Sequence, residues 1–146
     1  MERKCIHYGH KKFDKKQFVD ISNCEYRPKP NGGLWASPID SEFGWKQWCD
    51  SNKFRECTES DSFTFTLKPE ANILVIDSVD NLKELPQVKS DFVIPMWYML
   101  DFEVLSKKYD AIEVRISCDY NLYFKLYGWD CDSIVIMNPD VIVECK

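Results

Sequence analysis

The feature that most constrains the fold is a pair of apolar runs separated by a turn, at residues 134–137 and 141–143. Both runs are rich in isoleucine and valine, which favour strands, and the Asn-Pro-Asp between them is typical of turns. We therefore predict two strands in this part of the chain. Asp130 and Asp132 come just before the first strand, and a two-residue alternation would direct both carboxylates to the same face.

The rest of the sequence predicts more strands than helices. Residues 62–67 alternate strictly between polar and apolar side chains, as in a half-buried strand. Further strands are predicted at residues 4–9, 34–37, 71–77 and 111–116. Helices are predicted at residues 41–52 with Ser41 as N-cap, at residues 78–85 with Ser78 as N-cap, and within residues 91–108, whereas residues 121–127 fit either state. Because few strands alternate singly with helices, we predict an α+β fold of two packed, mainly antiparallel β-sheets with a few peripheral helices.

Composition narrows the class of protein. A chain of 146 residues is long enough to bury a core, and we expect residues 1–146 to form a single domain. The net charge of -5 disfavours broad binding to nucleic acids, although lysines cluster between residues 11 and 16. The longest apolar run is far shorter than a membrane-spanning helix, so no membrane partner is expected. Seven cysteines without a C-x-x-C pair indicate reduced thiols in the cytoplasm.

Three stretches combine polar groups with backbone freedom. His7-Tyr8-Gly9-His10 offers imidazole nitrogens beside a glycine, Gly32 to Ser37 offers an aromatic surface and a hydroxyl, and the third stretch holds Asp130 and Asp132. Each has a simpler structural explanation: a hydrogen-bonded core histidine, a packed tryptophan after a turn, and a solvated pair of carboxylates. Common nucleotide-binding and hydrolase motifs do not occur, and two histidines exclude a multi-histidine metal site, so no metal is expected.

Taken in this order, the three stretches resemble motifs of the ADP-ribosyltransferase superfamily. Ile-His-Tyr-Gly-His at 6–10 is similar to the histidine motif of its first strand, with His7 or His10 as the family histidine. Gly-Leu-Trp-Ala-Ser at 33–37 is similar to the second motif, with Trp35 where poly(ADP-ribose) polymerases carry tyrosine. Residues 132–136 and 140–142 resemble the acidic-residue strand and the closing strand, and residues 109–112 resemble the strand before them. The acidic position holds aspartate where the family usually has glutamate.

The resemblance implies an NAD-dependent mono-ADP-ribosyltransferase, a glycosyltransferase that moves ADP-ribose from NAD to a protein or nucleic-acid target. His7 would bind the adenosine-side ribose, Gly9 the nicotinamide amide, and Trp35 would stack on the nicotinamide ring. Ser37 would orient the catalytic carboxylate. Asp132, with Asp130 as substitute, would bind the nicotinamide-side ribose and stabilise the charge that develops as nicotinamide leaves. Tyr8 and His10 complete the predicted NAD-binding residues.

Two other functions are compatible with the same stretches. The chain could be a catalytically inactive interaction protein, such as an inhibitor, on the same fold. It could also be an NAD-dependent RNA 2′-phosphotransferase-like enzyme, which the early lysine cluster favours. The small size fits a toxin or effector, which is the role we expect for a transferase of this length.

Overall fold

Seven strands pair in the order β4-β5-β6-β2-β1-β3-β7 in the computed structural model, which describes residues 3–89 and 95–145. The strands are β1 (Lys4–Tyr8), β2 (Leu34–Pro38), β3 (Ser62–Leu67), β4 (Ile73–Ile76), β5 (Ala111–Val114), β6 (Ser133–Ile136) and β7 (Ile142–Glu144). The helices are α1 (Trp45–Asn52), α2 (Phe102–Lys108) and α3 (Asn121–Lys125). Short 3-10 turns occupy Lys15–Gln17, Glu59–Asp61, Val79–Glu84, Ile116–Cys118 and Pro139–Val141.

Side-chain patterning explains which strands lie inside. The alternation in β3 buries Phe63, Phe65 and Leu67 on one face, whereas every residue of β5 and β6 is buried. Among the named strands, only β4 and β5 pair in parallel, and the chain between them includes α2. A parallel pair requires such a crossover. The predicted α+β class and the mainly antiparallel pairing are therefore confirmed.

The sheet curls so that its two ends share a core. Phe65 of β3 belongs to the same buried cluster as Ala111 of β5 and Ile134 of β6. β3 and β4 are five positions apart in the strand order, which would separate them by roughly 24 Å in a flat sheet, but the connection from Leu67 to Ile73 can span at most about 22 Å. Arg3, just before β1, also reaches Glu113 of β5 at 2.7 Å, although β1 and β5 are three positions apart. The change of direction occurs along β2, whose residues 34–36 pair with β6 while residues 37–38 pair with β1. The seven strands thus form one continuous order, and the predicted division into two sheets is not confirmed.

A second core lies between the other face of β5 and β6 and the helices. Phe102 and Leu105 of α2 and Leu122 of α3 are buried there against Ile112 and Val135. Trp129, which is only 1% exposed, belongs to the same cluster. Within the described ranges, no helix combines the length and apolarity needed to cross a membrane.

The observed helices differ more from their predicted bounds and types than the strands do. The helix predicted at residues 41–52 begins at Trp45, with Gly44 at its N-cap, because the Ser41 hydroxyl accepts from the Phe43 N–H and donates to Asp132. Residues 78–85 contain a 3-10 turn rather than an α-helix, with Ser78 at its N-cap as predicted. Of the segment 91–108, residues 91–94 lie outside the described ranges, and α2 begins only at Phe102, where Asp101 accepts from the Val104 N–H.

Candidate functional site

A cleft opens where β1 and β2 diverge. The two strands pair only through Cys5–Pro38 and Ile6–Ser37, and beyond these pairs β1 continues along β3 while β2 continues along β6. The cleft has a volume of about 210 Å³. Its lining comprises Ile6, His7, Tyr8, Lys29, Trp35, Ala36, Trp45, Arg55, Gly128, Asp130, Cys131 and Ser133. The divergence of β1 and β2 therefore forms one cleft that is lined by residues from all three predicted stretches.

His7 is fixed by hydrogen bonds to both ring nitrogens. Its Nδ1 lies 2.6 Å from the Trp35 carbonyl oxygen, and its Nε2 lies 2.9 Å from Nδ1 of His10. Because a carbonyl only accepts, Nδ1 of His7 carries the proton, and Nε2 of the neutral ring accepts from Nδ1–H of His10. The two imidazoles stack with their centroids 5.1 Å apart. The structure thus links both candidate histidines into one chain of hydrogen bonds that starts at Trp35.

Burial lowers the pKa of His7 below its ordinary value of 6.5, although the hydrogen bond to the Trp35 carbonyl opposes this shift. Unfolding exposes the ring and restores the ordinary pKa, so between the two values the unfolded chain binds the additional proton. We therefore expect the free energy of unfolding to fall as the pH decreases from 6.5 through the lowered pKa of the folded state. The slope against pH should correspond to the uptake of at most one proton on unfolding. Urea denaturation of the wild type and a His7→Phe variant at several pH values measures that slope. An equally steep slope in the variant would assign the pH dependence to other groups.

Trp35 forms the aromatic wall between His7 and the opposite side of the cleft. Its indole N–H donates to the Gly32 carbonyl at 3.2 Å, and its ring packs against Trp129 with centroids 4.7 Å apart. The Lys29 ammonium lies 4.5 Å from the Trp35 ring centroid, as in a cation–π contact. Burial lowers the pKa of Lys29, and the positive charge of Arg27 lowers it further. A ring that stacks on this face of Trp35 must therefore displace Lys29.

The structure separates the two candidate carboxylates. Asp130 lines the cleft and is half-buried. Asp132 is 1% exposed and is not part of the cleft lining. Its carboxylate accepts from the Ser41 hydroxyl at 2.7 Å, from the Ser117 N–H at 2.9 Å, and from the Ser117 hydroxyl. Asp130 is therefore the carboxylate that a ligand in the cleft can reach.

The remaining predicted residues have distinct environments. Ser37 is buried, and its hydroxyl accepts from the Trp45 N–H at 2.8 Å, so it caps α1. Gly9 has a φ of +113°, which favours glycine, and its N–H donates to the Asp61 carbonyl. His10 lies outside the cleft, in an adjoining depression of about 270 Å³ that His7 and Trp35 also line. The cleft thus collects His7, Tyr8, Trp35 and Asp130, but not Gly9, His10, Ser37 or Asp132.

Three further charged or aromatic residues of the cleft were not predicted from the sequence as site residues. Lys29 and Arg55 bring positive charge to the cleft, and Trp45 adds a second tryptophan. Lys29 lies between two prolines ahead of β2, and Arg55 follows α1 without a recognisable motif. With these residues, the lining combines two cations, one carboxylate and aromatic rings, which suits a ligand with both anionic groups and flat rings.

A metal centre finds no support in the part of the chain that the structure describes, because these residues contain no group of three or more histidine, cysteine, aspartate or glutamate side chains that could hold an ion. In comparisons with known proteins, the chain matches no protein-family model, no curated protein and no solved structure.

Proposed function

We propose that this chain is an NAD-dependent mono-ADP-ribosyltransferase-like protein that transfers ADP-ribose to a macromolecular target, as a toxin or effector does. One observation carries the proposal: His7 and Tyr8, Trp35, and Asp130 come from three distant stretches and line one cleft. His7, Tyr8 and Trp35 lie in the first two stretches that resemble transferase motifs, and Asp130 lies two residues before the third, which begins at Asp132. The seven cysteines are free thiols, which suits action in the cytoplasm.

The curled sheet supports a transferase-like architecture. Its β4–β5–β6 part and its β1–β3–β7 part share a buried cluster, as two packed sheets would. The cleft opens between the parts, where β2 passes from one to the other. In this proposal, β2 corresponds to the strand that carries the aromatic motif of the superfamily.

The cleft residues suggest how NAD would be held. Its pyrophosphate would bind Lys29 and Arg55, the only cations in the described lining of the cleft. Movement of Lys29 toward the phosphates would free the face of Trp35 for the nicotinamide ring. Displacement of His10 would leave Nε2 of His7 as an acceptor for a ribose hydroxyl.

Asp130 takes the electrostatic role in this mechanism. The bond between the ribose carbon and nicotinamide breaks, the bonding electrons leave with nicotinamide, and positive charge develops on the ribose. A carboxylate in a cleft stabilises that charge more than it stabilises neutral ground-state ribose. The acceptor group of the target then bonds to the ribose carbon and releases its proton.

The test is nicotinamide release from NAD by the purified protein and by an Asp130→Asn variant. We expect the variant to lower the rate by roughly 100-fold, the order found when one electrostatic group of an active site is removed. Its thermal stability should be unchanged, because no described group donates a hydrogen bond to Asp130. Asp80→Asn is the matched control, since Asp80 is 83% exposed, pairs with Lys83 and lies outside the cleft.

A rate in Asp130→Asn equal to that of the wild type and the control would contradict the role of Asp130. Absence of nicotinamide release from the wild type with and without a cell extract as source of target would contradict the transferase function.

A catalytically inactive binding protein is the second candidate. Two observations favour it: Asp132 is fully engaged by Ser41 and Ser117, and Lys29 covers the ring on which nicotinamide would stack. A thermal shift with NAD that is absent in Trp35→Ala, without nicotinamide release, would support this candidate over the transferase.

A further inference from the structure

A second groove adjoins the cleft and has the opposite charge. We call it the acidic groove. Its lining consists mainly of four aromatic side chains and two carboxylates, from Phe43, Trp48, Tyr120, Tyr123, Glu42 and Asp130. Its volume is about 280 Å³, which is enough for one large side chain and part of its backbone. The uncharged side chains Gln47, Ser51 and Asn52 complete its polar lining, together with the apolar Ile116. No lysine or arginine belongs to its lining within the described residues.

Its carboxylates are open to an incoming ligand. Glu42 is exposed and Asp130 is half-buried. Across residues 3–89 and 95–145, neither side chain accepts a hydrogen bond, whereas the buried Asp132 nearby in sequence accepts three. Two carboxylates at one groove favour a cation, because a ligand with positive charge relieves their mutual repulsion.

Its aromatic rings indicate which cation fits. Tyr120 is 62% exposed and Tyr123 is 39% exposed, and Phe43 meets Tyr120 edge to face with centroids 6.2 Å apart. A guanidinium group is planar, stacks on aromatic faces and binds carboxylates through two parallel hydrogen bonds. An ammonium group lacks both the flat surface and the paired geometry. Arginine therefore matches this groove better than lysine.

The acidic groove and the cleft are connected by a pair of stacked tryptophans and by Asp130. Trp45 lines the cleft and Trp48 lines the groove, and their rings stack with centroids 5.3 Å apart and an angle of 11°. Asp130 lines both. The cleft holds Lys29 and Arg55, so an anionic ligand there and a cationic ligand in the groove would attract rather than exclude each other.

We infer that the acidic groove binds an arginine side chain of a partner polypeptide. The inference rests on the charge and the aromatic surface of the groove, and it holds whether or not the cleft consumes NAD. It assigns the two faces of the Trp45–Trp48 stack to ligands of opposite charge.

The test is binding of the capped peptide acetyl-Gly-Gly-Arg-Gly-Gly-amide, followed by NMR of the ¹⁵N-labelled full chain in the absence of NAD. We expect saturable shifts of the Trp48 indole N–H and of the Tyr120 amide. The same peptide with citrulline, which has nearly the same shape without the charge, should bind about tenfold more weakly. Glu42→Gln should weaken binding several-fold, whereas Glu70→Gln, which removes the same charge from an exposed residue outside the groove, should leave it within about twofold.

Four results would overturn the inference. Equal affinity for the citrulline peptide would show that charge plays no part. Equal weakening by Glu42→Gln and Glu70→Gln would show attraction by net charge alone. No saturable shift with millimolar peptide would show that the groove does not bind arginine. Shifts of Trp48 and Tyr120 that depend on protein concentration without peptide would show that a second copy of the chain occupies the groove.

Discussion

Replacing Trp129 with alanine is expected to lower the free energy of unfolding by about 3–5 kcal/mol, the range for removing a large aromatic side chain from a core. Trp129 is 1% exposed, and its ring packs against Trp35 and Phe102 with centroids 4.7 and 6.3 Å away. Its indole N–H donates to the Pro28 carbonyl at 2.8 Å. The substitution therefore removes contacts on both sides of the ring and leaves a buried carbonyl without its donor.

Urea denaturation measures this effect through the transition midpoint and slope. Trp129→Phe is the matched variant, because it keeps an aromatic ring and removes the indole N–H. We expect it to lose about 1–3 kcal/mol, from the smaller ring and the unpaired Pro28 carbonyl. A loss below about 1 kcal/mol in Trp129→Ala would mean that the core around Trp35 and Phe102 is not packed as the structure describes.

Asp132→Ala is expected to destabilise the fold by about 3 kcal/mol or more. Its carboxylate is buried and accepts from the Ser41 hydroxyl and from the N–H and hydroxyl of Ser117. Hydrogen bonds to a charged group contribute about 1.5–3 kcal/mol each. Rotation of the two hydroxyls offsets part of this loss, which is why the expected sum is smaller than three full hydrogen bonds.

Two further variants separate hydrogen bonding from charge in the Asp132→Ala experiment. Asp132→Asn keeps an oxygen for the Ser117 N–H, and its amide N–H groups can donate to the rotated hydroxyls, so we expect it to recover most of the lost stability. Asp130→Ala should stay within about 0.5 kcal/mol of the wild type, as substitutions outside the core usually do. Equal destabilisation by the substitutions at 130 and 132 would contradict the different environments of the two carboxylates.

Local patterns in the sequence predicted most of the strands. The alternation at residues 62–67 and the apolar runs at 134–137 and 141–143 correspond to β3, β6 and β7, because two-residue periodicity and β-branched side chains act over a few neighbours. The same patterns say nothing about strand order. Pairing of β3 with both β1 and β7, and the curl along β2, depend on contacts between residues far apart in the chain.

The site shows the same limit at the level of single side chains. The expectation that Asp130 and Asp132 share a face assumed strand geometry, yet β6 begins only at Ser133. Outside the strand, the direction of each side chain depends on its partners, and those of Asp132 are Ser41 and Ser117, which no local pattern connects to it. The sequence likewise does not show that the Ser37 hydroxyl accepts from the first N–H of α1, or that the Ser41 hydroxyl donates to the Asp132 carboxylate. Both contacts join residues that no local pattern connects.

The position of β2 has a consequence for how the chain acquires its structure during synthesis. Leu34 pairs with Ile136, and Trp35 pairs with Val135, so one side of this early strand has no partner until β6 has been made. β3 likewise waits for β7, which pairs with Phe65 through Glu144. Pairings between such distant segments slow folding, because the long loop must close before its contacts stabilise it. During synthesis, Trp35 therefore leaves the ribosome well before β6, the strand whose pairing fixes its position.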